Sequence, residues 1–92
     1  MKFKKISAIV FGRVQGVGFR FFTERMAELL HLTGWVSNEY DGSVKIVAIG
    51  QDTKIADLLM VLQKGPSMSR IDNVEYQLED CDYNEYEDFS IK

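Results

Sequence analysis

Cysteine occurs once in the 92-residue chain, as Cys81, and histidine once, as His31. One thiol cannot form an internal disulfide, so the chain asks for no oxidising compartment and a cytoplasmic address is expected. With neither residue clustered, no set of nitrogen and sulfur donors has metal-ligand spacing. The carboxylates between Asp72 and Asp88 alternate with strand-like residues and do not follow a calcium-loop pattern. No metal and no cofactor are therefore expected. Long apolar runs are missing as well. The stretch Ile6 to Phe11 stops at Gly12-Arg13 without a small-residue cleavage site, which fits neither a secretory leader nor a membrane span. Pro66 is the only proline, and no repeat or low-complexity tract interrupts the chain, which excludes disordered and fibrous classes.

A surplus of positive charge is also absent. Eleven Lys and Arg against 14 Asp and Glu leave a net charge of -3. A duplex-binding module needs excess cations to neutralise phosphates, so nucleic acid is not an expected partner. The charge is nevertheless uneven. Residues 1–35 carry six basic and two acidic groups, residues 36–70 four of each, and residues 71–92 one basic and eight acidic. An anionic small molecule would seek the first third.

What is present is enough for one domain over residues 1–92, with a single two-layer core. Residues 3–11, rich in Ile, Val and Phe, read as a strand. A glycine-rich segment, Gly12 to Gly18, follows. From Phe19 the period becomes helical, with Phe22, Met26, Leu29 and Leu30 as the predicted buried stripe and Thr23, Glu24, Arg25 and Glu28 on the other face. Residues 35–40 and 43–49 read as two strands of a hairpin turning at Asp41-Gly42. A second helix, capped by Asp52 or Thr53, buries Ile55, Leu58, Leu59 and Leu62 and ends at Gly65-Pro66. Ile71 to Leu78, alternating through Val74 and Tyr76, and Phe89-Ser90-Ile91 complete the strands.

The order βαββαβ with a short last strand predicts an α+β, ferredoxin-like sandwich: an antiparallel sheet with both helices on one face. In that topology the first strand runs parallel to the Trp35 strand. The glycine-rich segment and Asn38 then meet at one end of the sheet.

A glycine-rich loop between strand and helix lets successive backbone N–H groups converge on an anion at the positive end of the helix. Gly16 and Gly18 remove side chains from that approach, and Arg20 adds a guanidinium fork suited to phosphate or carboxylate oxygens. Gly16-Val17-Gly18 lacks the third glycine of a dinucleotide fingerprint, and no Gly-Lys-Ser/Thr follows as in a P-loop. Spacing alone fits equally a plain turn with a solvated Arg20.

The segment Gly12-Arg13-Val14-Gln15-Gly16-Val17-Gly18-Phe19-Arg20, with Phe21-Phe22-Thr23-Glu24, closely resembles the signature of the acylphosphatases. Gly34-Trp35-Val36-Ser37-Asn38 followed by Asp41-Gly42-Ser43-Val44 resembles that family's second block. The likeness continues through Gly65-Pro66-Ser67, Ser69-Arg70-Ile71 and Phe89-Ser90-Ile91, and so covers the whole chain. It implies the ferredoxin-like fold and metal-free hydrolysis of small acyl phosphates to a carboxylate and inorganic phosphate. Position by position, Arg20 matches the family's phosphate-binding arginine and Asn38 its water-orienting asparagine. The backbone of Gln15, Gly16, Val17, Gly18, Phe19 and Arg20 matches the phosphate cradle, and Thr23 a supporting hydroxyl. The residue before Phe19 varies in the family; Gly18 here implies a more mobile loop.

The chemistry fits the missing residue types. An acyl phosphate expels a carboxylate whose conjugate acid has a pKa of about 4, so no general acid is needed. Two other classes compete. Ferredoxin-like sheets that bind RNA stack bases on exposed aromatics, and Phe11, Trp35, Tyr40 and Tyr76 are candidates, although no RNA-binding signature is present. The second is a sensor that keeps the anion pocket without turnover. His31 is expected to be a surface residue near a helix C-terminus, and Cys81 a spectator. A monomer without membrane contact is expected, and the acyl part of the substrate is left unspecified.

Overall fold

β1 (Phe3–Arg13) alternates as a half-buried strand must, with Ile6, Ala8 and Val10 fully buried and Lys5, Ser7 and Ile9 only partly so. This computed structural model describes residues 3–92; Met1 and Lys2, the first positions of the expected domain, lie outside the described residues. The chain continues as α1 (Phe19–Leu29), β2 (Thr33–Asn38), β3 (Val44–Gly50), α2 (Asp52–Lys64), β4 (Arg70–Cys81) and β5 (Phe89–Ile91). The strands order as β4-β1-β3-β2-β5 in one sheet. Ile6, Val10, Val36, Val44 and Ile46 from the sheet form one cluster with Phe19, Ala27, Ile55, Leu58 and Leu62, so both helices pack on the same face. This is the ferredoxin-like α+β sandwich. The expected all-antiparallel sheet needs one correction: β5 pairs with β2 in parallel, making the sheet mixed.

Local departures have identifiable causes. The buried face of α1 is Phe19, Thr23 and Ala27, while Leu29, expected inside, is 68% exposed. Phe19 at the very start of the helix sets the face, and its i+4 and i+8 positions follow it inward. In α2 Ile55, Leu58 and Leu62 are buried as expected and Leu59 only partly so, but the N-cap is Gln51, just before the expected Asp52 or Thr53, and no side chain caps it. β2 ends at Asn38, so Glu39 and Tyr40 belong to the turn rather than the strand.

β4 is longer than expected and its alternation breaks. Phe11 pairs with Asn73 but Gly12 with Ile71, so Asp72 is an extra residue in a bulge. The bulge changes the parity, and Ile71 and Val74, three apart, both pack against the core. Tyr76 and Leu78 share the helix-side face but lie on the edge strand, each about half exposed. The acidic segment is partly paired rather than merely solvated. Lys4 Nζ lies 2.7 Å from Asp80 Oδ1 and Lys5 Nζ 3.1 Å from Glu85 Oε1, and the Thr33 hydroxyl meets Asn84 Oδ1 at 2.6 Å. Residues 82–88 thereby tie across the sheet end from which β1 departs.

Candidate active site

Sheet register brings the two sequence blocks together. Val44 on β3 pairs with Val10 of β1 on one side and with Asn38 of β2 on the other. Neighbouring strands lie about 4.8 Å apart, so Asn38 sits roughly 10 Å from Val10, at the sheet end where β1 runs into the glycine-rich loop. A cleft of about 180 Å³ opens there, lined by Val14, Gly16, Gly18, Phe19, Arg20, Phe21, Asn38 and Ile91.

The loop is held in an unusual backbone conformation. Gly16 and Gly18 have φ of 73° and 79°, the left-handed region, and Gly18 is the N-cap of α1. A Cβ at either would meet nothing within 4 Å, so the backbone rather than crowding asks for glycine. None of the backbone N–H groups from Gln15 to Phe21 is given to a carbonyl among the described residues. The first that is belongs to Phe22, donating to Gly18 O at 2.9 Å. The first turn of α1 carries no acidic residue, so its own sequence does not neutralise the positive helix end.

Arg20, partly exposed on that turn, makes one hydrogen bond among the described residues, a long 3.4 Å contact from Nη1 to Lys92 O. Asn38 is half-buried, and its Oδ1 is buried with no hydrogen-bond partner among the described residues. A buried acceptor left this way costs about 1–3 kcal/mol. Thr23 is fully buried, and its hydroxyl donates to Phe19 O at 2.9 Å. That carbonyl belongs to the Phe19–Arg20 peptide, whose N–H is one of the expected cradle donors, so the bond restrains that peptide.

Several lining residues escaped the sequence reading. Phe21, 56% exposed, and Ile91, 39% exposed, make an apolar rim, with the Arg25 guanidinium 5.6 Å from the centre of the Phe21 ring. The Gln15 side chain donates from Nε2 to Glu39 O at 2.8 Å and Ser43 O at 2.9 Å. A polar amide amid glycines and valines was the available signal. The turn is a five-residue loop, 39–43, rather than the two-residue hairpin that Asp41-Gly42 suggested. Asp41 Oδ1 accepts from the Ser43 hydroxyl and N–H, and these bonds hold its carboxyl below the ordinary carboxylate pKa. The bracing is therefore complete above the unfolded carboxylate range and lost as pH falls through the lower folded value.

The aromatics proposed for base stacking do not all share a face: Phe11, next to the core-facing Val10, falls on the open side with Trp35, and the other two lie elsewhere. Trp35 pairs with Val47 on the open side, Tyr76 with Ala8 on the helix side, and Tyr40 is in the turn. The Trp35 ring is already approached by Lys92 Nζ at 4.5 Å and Lys45 Nζ at 5.9 Å. His31 is exposed just after α1, with φ 58°. Cys81 is half-buried, and burial raises its thiol pKa above the ordinary value. Among the described residues no group of three or more His, Cys, Asp or Glu side chains could hold a metal ion, and no helix is long and apolar enough to cross a membrane.

Fold and site together define a small α+β sandwich with a donor-lined cleft at one sheet end. The family model for acylphosphatase matches residues 6–91. An acylphosphatase of Salinibacter ruber is 42% identical over 89 residues, covering 97% of this chain and 93% of its own length. One from Leuconostoc mesenteroides is 54% identical over 72 residues, covering 77% and 80%. The crystal structure of acylphosphatase from Bacillus subtilis matches with a TM-score of 0.91 at 32% identity, covering 97% of this chain and 98% of that one. The chain belongs to the acylphosphatase family, and its activity is the hydrolysis of acyl phosphates.

Proposed function

We propose that this chain splits the carboxyl–phosphate bond of small acyl phosphates, releasing a carboxylate and inorganic phosphate, by metal-independent in-line attack of water. The phosphoryl group is held by Arg20 and by the backbone N–H groups of Gln15, Gly16, Val17, Gly18, Phe19 and Arg20. One observation carries the reading: Gly16, Gly18, Phe19 and Arg20, with unused N–H groups and a nearly unengaged guanidinium, line one cleft together with Asn38, whose amide oxygen lacks a partner among the described residues, while Gln15 and Val17 stand outside its lining.

Each group has a task in that reading. The loop amides and the α1 N-terminus stabilise the anionic phosphoryl oxygens without reorganising as charge shifts among them. Arg20 supplies the full positive charge and the planar fork. Asn38, through its side-chain amide, orients the attacking water so that a lone pair points toward phosphorus. The water's proton passes to a phosphoryl oxygen, so that phosphate leaves the site protonated. The P–O bond to the acyl group breaks with its electron pair going to the carboxylate, a leaving group stable enough to depart unprotonated. Thr23 supports the site by holding the Phe19–Arg20 peptide.

The protein acts as a monomeric single domain in the cytoplasm, on a small molecule rather than on nucleic acid or a membrane. The test compares disappearance of a simple acyl phosphate with that of a phosphate monoester, with and without chelator. Turnover of the acyl phosphate alone, unchanged by chelator, is expected. Chelator-sensitive turnover would overturn the metal-free mechanism, and phosphate binding without turnover would make the chain a sensor.

A further inference from the structure

We infer that the side chain of Gln15 is a positioning residue that sets the geometry between the phosphate cradle and Asn38. The inference rests on the reading of Asn38 as the group that orients water. It adds a function for a side chain whose backbone alone enters that reading.

β1 and β2 are not neighbours, because β3 lies between them. The loops that leave their ends therefore share no ladder, and something else must fix one relative to the other. Gln15 begins the expected cradle, and its Nε2 donates to Glu39 O at 2.8 Å and Ser43 O at 2.9 Å. An amide nitrogen has two donors, and both are used here. Glu39 directly follows Asn38, and Ser43 directly precedes Val44, the cross-strand partner of Asn38. The Glu39 N–H also donates to Ser43 O at 2.9 Å, so the two carbonyls belong to one closed loop neck. One side chain thus clamps both strands of the hairpin at the level of Asn38 to the first residue of the cradle.

In-line attack makes this distance matter. The cradle fixes phosphorus and Asn38 fixes the water, so their separation decides whether water lies on the line of attack. An error of about 1 Å in such an alignment costs on the order of 100-fold in rate. Losing the clamp leaves the β2–β3 pairing intact, so a partial displacement and a smaller loss are expected. Phosphate affinity, which depends on the cradle and Arg20, should hardly change.

The experiment is a double-mutant cycle read in kcat, KM for an acyl phosphate and inhibition by inorganic phosphate. Gln15→Met keeps the length and removes the donors; Gln15→Asn, too short to span, serves the same purpose should the first fail to fold by circular dichroism. Either is expected to lower kcat about tenfold, with KM and the phosphate inhibition constant within about twofold of the parent. Added to Asn38→Ala, it should cost less than about twofold more, because the group it positions is gone. A further tenfold loss in the Asn38→Ala background would overturn the inference, as would weakened phosphate inhibition at unchanged kcat. Full turnover by Asn38→Ala alone would instead overturn the water-orienting role, so the two failures are distinguishable.

Discussion

The two helices lie on the same sheet face but begin in opposite ways. α2 has no side-chain cap, but the Gln51 carbonyl accepts from the N–H groups of Lys54 and Ile55, Asp52 sits in the first turn and Lys64 in the last. Its dipole meets a complementary charge at each end. α1 starts from a left-handed Gly18, has no acidic residue in its first turn and no basic one in its last, and places Arg20 where an acid would be stabilising. The forgone stabilisation is on the order of 0.3–1 kcal/mol per end. The difference separates a helix with matched charges at both ends from one whose start is left open where the proposed phosphate would sit.

The sharpest way to break the comparison is Arg20→Gln, which removes the cation from the first turn of α1. Turnover should fall on the order of 1000-fold and inhibition by inorganic phosphate should largely disappear. Retention of phosphate inhibition would mean that the loop amides suffice for binding. Asn38→Ala comes next, with kcat down on the order of 100-fold and phosphate inhibition within about threefold of the parent. Full turnover would remove Asn38 from the mechanism.

Phe21→Glu makes the start of α1 resemble that of α2. A carboxylate in the exposed first turn should weaken phosphate inhibition about tenfold while raising thermal stability by about 0.5 kcal/mol. An unchanged inhibition constant would show that the helix end takes no part in binding. The converse change, Asp52→Ala, should cost about 0.5 kcal/mol in a thermal melt and leave kcat untouched. The smallest effect concerns the turn beside Asn38. The gap in melting temperature between the parent and Asp41→Ala should be widest near neutral pH and shrink as pH drops below the ordinary carboxylate pKa, since the Asp41 pKa is lowered by its bonds to Ser43. A gap that widens on acidification would contradict that assignment.

Element types were legible from the chain because each carries its own period or punctuation. Ile6, Ala8 and Val10 alternate, Ile55, Leu58 and Leu62 repeat helically, and Gly65-Pro66 stops α2. The faces were less legible. Leu29 looks buried by hydropathy and is exposed, whereas Thr23 looks solvated and is fully buried, because a single hydroxyl can satisfy itself on the Phe19 carbonyl within the helix. The extra residue at Asp72 could not be seen either, since a bulge depends on the partner strand as much as on its own sequence.

The sequence by itself determined the charge asymmetry, the glycines that permit a left-handed loop at Gly16 and Gly18, and two blocks distinctive enough to identify the family. These are properties of neighbouring residues, and chain order preserves them. Only the tertiary structure decided that Val10 and Asn38 flank the same residue of β3, that β5 turns the sheet mixed, and that Gln15 reaches Glu39 and Ser43. It also paired part of the acidic last third with Lys4 and Lys5. The physical reason is that strand register and side-chain reach bring together residues far apart in the chain, and no local pattern encodes a distance across a sheet.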